Sequence, residues 1–273
     1  MSLSASALVA GVTGEPIRHS LSPAIHTAWL AAAGVEAAYR AFPAKDEAAF
    51  DHLIAGGRRG VLRGLNITAP WKGRAAALAD EADAVVEATG SANLLVFEDG
   101  RVRAFSTDGI GVIAALEEQA PSFDLRGAEV LMLGAGGAAR AVVPALLDAG
   151  AAKIVVRNRT QANAEALAAA FDGRVVAETA GEGADAGLVI NAVAGDPAHD
   201  FAGTSQAVAA LDMTYRPLKT PFLVAAERAG AAPVDGLAML IGQARPSFER
   251  LFGQAPPDID IRRVAIEATE AQA

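Results

Sequence analysis

Residues 128–140 read Ala-Glu-Val-Leu-Met-Leu-Gly-Ala-Gly-Gly-Ala-Ala-Arg, an apolar run that enters a glycine-rich turn and then a helical pattern. Such a segment can cradle a pyrophosphate. Gly134 allows the tight turn, Gly136 lets a phosphate approach the backbone, and Ala139 is small enough for close helix–strand packing. The helix start offers free N–H groups and the positive end of its dipole to an anion. A second apolar run, Lys153 to Val156, follows at the spacing of a strand–helix–strand unit. The pattern predicts a dinucleotide site, with Gly134, Ala135, Gly136, Gly137 and Ala138 along the phosphates.

The end of that second run indicates which dinucleotide. An NAD site places an Asp or Glu about 20 residues past the loop, on the ribose 2′-hydroxyl. Here the chain reads Arg157-Asn158-Arg159-Thr160, without an acid. A guanidinium beside an amide and a hydroxyl suits a 2′-phosphate, which Arg can grip as a fork. NADP is therefore the expected cofactor. Arg159 is the main phosphate ligand, Asn158 and Thr160 assist, and Arg157 is a weaker candidate. Thr160 also fits as the N-cap of a helix over 161–171.

A separate set of polar motifs falls before residue 109: His19-Ser20-Leu21-Ser22-Pro23, Asn66-Ile67-Thr68-Ala69-Pro70-Trp71-Lys72, Asn93, and Ser106-Thr107-Asp108. Each lies where a loop leaves a predicted strand, which is where open α/β sheets bind ligands. Hydroxyls, amides, one lysine and one aspartate suit a small polyhydroxylated acid better than a lipid or a polyanion. His19 and His26 read as structural.

The elements that must position these groups alternate between strand and helix. Residues 7–12 read as a buried strand. Ser22 looks like an N-cap before Pro23, with a helix to Ala33 stopped by Gly34. A strand near Ala38–Phe42, a helix over Asp46–Ala55 and a strand over Leu62–Thr68 follow. Pro70 is expected to open the next helix, with Lys72 in its first turn, and helical pattern returns at Glu81–Ala88. Asn93–Phe97 and Arg101–Phe105 flank Asp99-Gly100, a hairpin signal. A helix over 109–118 comes next. After the glycine loop, helices over 137–149 and 161–171 alternate with strands at 153–157, 174–177, Leu188–Asn191 and Ala207–Leu211. Met239–Phe252 carries apolar residues at helical spacing and should pack back on the first domain. Pro256-Pro257 separates the last two helices. The expected fold class is α/β: an N-terminal, mostly parallel α/β substrate domain (1–107 and 237–273) and a doubly wound, Rossmann-type domain for NADP (108–236).

Composition bounds the function. The 273 residues carry a net charge of −9, which argues against a nucleic-acid surface. Cysteine is absent, which removes disulfides, thiol nucleophiles and thiolate metal ligands. The four histidines show no metal-ligand spacing, so no metal is expected. No apolar run approaches the ~18 residues of a membrane span, and the first residues lack a basic segment followed by an apolar core. A cytoplasmic enzyme with no membrane partner is expected, as a monomer or homodimer.

Taken in order, the motifs resemble the shikimate dehydrogenase family over nearly the whole chain. They are Ser20-x-Ser22-Pro23, Asn66-x-Thr68-x-Pro70-x-Lys72, Asn93, Thr107-Asp108-Gly109, Gly134 to Arg140, Asn158-Arg159-Thr160, Asp212 to Pro217 with Thr220-Pro221, and Gly236 to Gln243. The resemblance implies NADP-dependent, reversible reduction of 3-dehydroshikimate to shikimate, a step toward chorismate and the aromatic amino acids. It implies that Ser20 and Ser22 hold the ring carboxylate. Asn66, Asn93, Asp108 and Gln243 would bind ring hydroxyls, Thr68 and Tyr215 would line the site, and Gly236 would join the cofactor residues. Lys72 would pass a proton to the carbonyl oxygen, positioned by Asp108. Ser106, Leu94, Thr27, Val193 and Gly195-Asp196 depart from the family pattern. Ser106 and Leu94 keep quinate or an aminated shikimate open as substrates, and a non-catalytic NADP-responsive regulator on the same fold is the alternative of a different kind.

Overall fold

A computed structural model describes residues 8–171, 173–178, 185–193 and 206–271. The chain divides into two compact units, Met1–Thr107 with Gln243–Ala273, and Asp108–Gly242. Gly195 and Asp196 lie outside the described residues.

In the first unit the order is β1 (Leu8–Gly14), α1 (Ser22–Ala33), β2 (Ala37–Pro43), α2 (Glu47–Arg58), β3 (Gly64–Ile67), α3 (Lys72–Ala77), β4 (Glu81–Ala82), α4 (Ala84–Thr89), β5 (Leu94–Glu98) and β6 (Arg101–Phe105). The sheet runs β2-β1-β3-β5-β6-β4. β1 pairs in parallel with β2 and β3, and β4 with β6, while β5 is antiparallel to both β3 and β6. Local signals set most boundaries. Gly34 ends α1 in the left-handed conformation, at φ 65°. The Asp46 carboxylate accepts from Ala49 N at 2.8 Å and caps α2. Asp99 and Gly100 turn the β5–β6 hairpin with φ of 50° and 76°, the two positive values a tight I′ turn needs.

Three local expectations are corrected. Ser22 is the first residue of α1 rather than its cap, and its backbone N–H donates to Ser20 Oγ at 3.3 Å. Pro70 sits in a turn, and α3 begins at Lys72. Glu81-Ala82 is a short edge strand beside β6, and the helix starts only at Ala84, where Asp83 Oδ1 accepts from Val86 N at 2.8 Å.

The second unit carries α5 (Asp108–Gln119), β7 (Glu129–Leu133), α6 (Gly137–Asp148), β8 (Lys153–Arg157), α7 (Gln161–Ala168), β9 (Val175–Ala177), β10 (Leu188–Asn191), β11 (Ala209–Asp212), α8 (Pro221–Arg228) and β12 (Ala232–Val234). α7 stops at Ala168, short of the expected 171, and Thr160 precedes it without a side-chain cap bond. Its sheet is parallel throughout, in the order β12-β11-β10-β7-β8-β9. Strands buried on both faces need no polar alternation. Val130 and Met132 face one apolar cluster with residues of α5, α6 and α7, while Leu131 and Leu133 face a second cluster with Phe222, Leu223 and Ala226 of α8. Gly109 is required where α5 meets α6, since a Cβ there would lie 2.5 Å from Ala145 Cβ. This is the doubly wound arrangement expected from the sequence.

α9 (Gly236–Phe252) and α10 (Ile261–Glu270) close the chain. The part of α9 from Gln243 onward belongs to the first unit, where it packs on the sheet. A Cβ on Gly64 would meet Leu251 Cδ2 at 2.4 Å and Leu95 O at 2.5 Å, and Arg63 Nε donates to Leu251 O at 3.2 Å. Gly64→Ala is therefore expected to destabilise the protein by about 1–3 kcal/mol, the usual range for overpacking. Gly56→Ala, on α2 with nothing within 4 Å of the added carbon, should stabilise it by about 0.5–1 kcal/mol. Urea unfolding of the two variants checks both signs.

Candidate active site

In the first unit the predicted polar residues converge through a chain of hydrogen bonds. Asn93, only 3% exposed, opens the hairpin at the start of β5. Its Oδ1 accepts from Thr107 N at 2.8 Å, and its Nδ2 donates to Thr107 Oγ1 at 2.9 Å and to Gln243 Oε1 on α9 at 2.8 Å. Asn66 on β3 donates through Nδ2 to Ser247 Oγ at 3.0 Å and accepts at Oδ1 from the Tyr39 hydroxyl at 2.8 Å. Ser247 lies 3.4 Å from Thr107 Oγ1, which joins the two amides into one network. The Ser22 side chain also hydrogen-bonds the Tyr39 phenol. Burial pushes that phenol well above its ordinary pKa, with the Ser22 bond acting in the opposite sense, so Tyr39 remains a donor to Asn66.

Thr68 and Lys72 enter from the same β3–α3 segment. Thr68 N donates to Thr13 O at 2.9 Å, and the Thr68 methyl occupies space that a Cβ on Gly14 would need, 2.2 Å away. Lys72 is half-buried, and its carbonyl accepts from Ala92 N at 3.0 Å, one residue before Asn93. Asn93 is thus tied by chain and hydrogen bond both to the Lys72 backbone and to Thr107, the residue before Asp108. Leu94 is fully buried beside it, in the core of the hairpin.

Tyr39 and Ser247 are network members to which the sequence reading assigned no site role, while Thr107 belongs to the Ser106-Thr107-Asp108 motif. Tyr39 sits in an aromatic box. His26 stacks on it with ring centroids 4.1 Å apart and planes 3° from parallel, and Trp29 and Phe248 flank His26 at 5.7 and 5.9 Å. Tyr39 is the one fully buried residue of β2, but only a partner on another strand distinguishes it from ordinary core.

In the second unit, Gly134 has φ 104°, and a Cβ there would come within 3.3 Å of the Ala192–Val193 backbone and side chain. Gly136 precedes α6 with no side-chain cap bond, is exposed, and has nothing within 4 Å of its missing Cβ. The first-turn N–H groups of a 12-residue helix are thereby left uncapped next to open space, which fits a pyrophosphate. Ala135 and Ala138 are half-buried and Gly137 is exposed at the same turn. Arg159 and Thr160 are exposed and Asn158 is half-buried, with Asn158 Nδ2 on Thr160 O at 2.8 Å. The Nε and Nη2 of Arg157, the weaker phosphate candidate, both bond the Glu178 carboxylate, the latter at 2.5 Å.

Asp108 is the first residue of α5 and is buried. Tyr215 is half-buried in the loop after β11. That loop is pinned by Asp212, whose Oδ1 accepts from Thr214 N at 2.9 Å and from Asn191 Nδ2 at 3.1 Å, and whose Oδ2 accepts from Thr220 Oγ1 at 2.6 Å. Gly236 packs directly under it, because a Cβ would lie 2.7 Å from the carbonyls of Met213 and Thr214. Among the described residues, no group of three or more acidic or histidine side chains could hold a metal, and no helix is long and apolar enough to cross a membrane.

Two family models match successive parts of the chain. Residues 12–95 match the model of the shikimate dehydrogenase substrate binding domain, and residues 115–193 match that of shikimate / quinate 5-dehydrogenase. Shikimate dehydrogenase (NADP(+)) of Caulobacter vibrioides is 50% identical, over 97% of both chains. The chain belongs to the shikimate dehydrogenase family. The Brucella abortus shikimate dehydrogenase (NADP(+)) is 42% identical, over 96% of this chain and 94% of its own. The crystal structure of shikimate 5-dehydrogenase from Thermus thermophilus, in complex with NADP(H) and shikimate, superposes with a TM-score of 0.86 at 34% identity, covering 96% of this chain and 99% of that one. As a member of the family, the chain has the two-part α/β architecture expected from its motifs.

The His26 box makes the stability of the protein pH-dependent. Burial lowers the His26 pKa from 6.5 to about 3. The unfolded chain binds a proton at His26 below about pH 6.5, while the folded chain refuses it down to about 3. Stability is therefore lost as pH falls through that window, by at most about 1.4 kcal/mol per pH unit. His26→Phe should remove this component. The stability difference between wild type and variant should shift in favour of the variant as pH is lowered, and a difference independent of pH would show that His26 does not titrate on unfolding.

Proposed function

We propose that this chain catalyses the NADP-dependent, reversible reduction of 3-dehydroshikimate to shikimate. The observation that carries the reading is the joint presence of the complete polar network around Asn66 and Asn93 and the uncapped glycine turn at α6 in a chain half identical to a shikimate dehydrogenase (NADP(+)). Bound NADPH supplies the hydride. The chain's own residues supply orientation and a proton. Gly134, Ala135, Gly136, Gly137 and Ala138 hold the pyrophosphate, Arg159 with Asn158 and Thr160 holds the 2′-phosphate, and Gly236 shapes the adjoining loop. Ser20 and Ser22 take the substrate carboxylate. Asn66, Asn93 and Gln243 take ring hydroxyls beside Thr68 and Tyr215. A ketone gains alkoxide charge as hydride reaches its carbon, and an ammonium stabilises and then protonates that oxygen. Lys72 fills this role, with Asp108 orienting it and binding a hydroxyl. In the reverse direction Lys72 accepts the hydroxyl proton.

A second reading, with quinate or an aminated shikimate as substrate, is favoured by one feature. Ser106 departs from the family pattern, and its buried hydroxyl has no hydrogen-bond partner among the described residues. Oxidation of shikimate, quinate and aminoshikimate with NADP, followed by nicotinamide absorbance, decides between the readings. The largest kcat/KM should belong to shikimate. Absence of turnover on all three, with NADP still bound, would instead assign a regulatory role.

Lys72→Ala is expected to lower kcat by ~10²–10⁴, the range for a general acid–base group, with cofactor affinity nearly unchanged. Near wild-type kcat in this variant would remove Lys72 from the mechanism. Arg159→Ala should lose most of a preference for NADP over NAD of roughly 10- to 150-fold, because a bidentate, charge-assisted pair contributes on the order of 1.5–3 kcal/mol. The loss should fall on NADP and leave NAD nearly unchanged. Because Arg159 is exposed, added salt should erode the wild-type preference. Equal use of NAD and NADP by the wild type would refute the assignment.

A further inference from the structure

β8 carries no acid at its carboxyl end, yet the fold places one there from the neighbouring strand. β8 and β9 pair in parallel with Val156 opposite Ala177, and Glu178 N continues the ladder to Val156 O at 2.8 Å. Glu178 therefore stands beside Arg157 at the edge where a Rossmann-type sheet reads the adenosine ribose. Its carbonyl accepts from Gln161 Nε2 at 3.2 Å, which ties it to the first residue of α7, directly after Arg159-Thr160. The Glu178 side chain is 9% exposed and that of Arg157 37%. An unbalanced acid at this edge favours a free 2′-hydroxyl and repels a 2′-phosphate. Here Arg157 meets it with two nitrogens, so the charge is cancelled and the same two nitrogens are occupied.

We propose that the Arg157–Glu178 pair is a charge-balancing specificity element for the cofactor: Arg157 screens Glu178 from the 2′-phosphate, and Glu178 in turn keeps Arg157 from becoming a second phosphate ligand beside Arg159. Discrimination between NADP and NAD is then set by Arg159 together with the state of this pair. Both residues act on the phosphate through charge, without touching the reacting atoms. The inference rests on the NADP reading above.

The two partners should move phosphate affinity in opposite directions, which a mechanical strut between strand ends would not do. The test is calorimetric binding of adenosine 2′,5′-bisphosphate and of ADP, so that no turnover is needed, with wild type, Arg157→Gln, Glu178→Gln, the double variant and Arg159→Ala. Arg157→Gln should weaken the 2′,5′-bisphosphate about three- to tenfold, and Glu178→Gln should tighten it by a similar factor, each effect shrinking as salt is raised. ADP should bind all of them alike, and the double variant should return near wild type. Parallel losses for both ligands in both single variants, or no shift in either, would overturn the proposal and leave the NADP reading standing if Arg159→Ala still weakens only the 2′,5′-bisphosphate. If the wild type does not distinguish the two ligands, the NADP reading fails and this proposal with it.

Discussion

The first unit depends on one buried amide. An asparagine side chain brings two donor hydrogens and an acceptor oxygen, and burying them without partners costs more than the bonds contribute when made. Asn93 meets that demand by bonding Thr107 at the end of the hairpin and Gln243 on α9, 14 and 150 residues away. Satisfying one side chain therefore brings three segments to the same place. The Lys72 carbonyl, bonded by Ala92 N, is held to the segment that carries Asn93.

The network also sets which polar atoms remain for a ligand. Asn66 Oδ1 receives the Tyr39 hydroxyl and Nδ2 faces Ser247, so the amide orientation is determined from both ends. Tyr39 can serve this way because it sits within aromatic rings, where its hydroxyl has strong reason to find partners and the flat stack on His26 limits its rotation. A low-dielectric wall behind a satisfied polar front is what a small polyhydroxylated substrate requires: fixed donors and acceptors that need no reorganisation on binding.

The second unit solves a different problem with the same economy. A parallel sheet aligns all its strand ends at one edge, so backbone N–H groups at the Gly134–Gly137 turn, the arginine-rich end of β8 and the loop after β11 share that edge by topology alone. Glycine is needed where backbones come closest. Gly236 against the Met213 and Thr214 carbonyls is the clearest case, since any side chain there would displace the segment that carries Tyr215.

What the sequence determined by itself was local or carried by a motif. The glycine stop after α1, the Asp99-Gly100 turn and the glycine loop each depend on the dihedral freedom or hydrogen bonding of a few adjacent residues, so they are legible in a short window. The ordered motifs were sufficient for the family. Where local signals were weak the reading slipped: Glu81-Ala82 is too short to show a strand period, and Ser22-Pro23 resembles a cap and first turn although α1 begins at Ser22 after Leu21 and has no side-chain cap bond. Tertiary structure alone decided the rest. Tyr39 meets Asn66 across 27 residues, Asn66 meets Ser247 across 181, and Glu178 reaches Arg157 across 21 through strand pairing. No residue type or spacing announces such partners, because a hydrogen bond or ion pair between distant positions exists only once the backbone has brought them within about 3 Å.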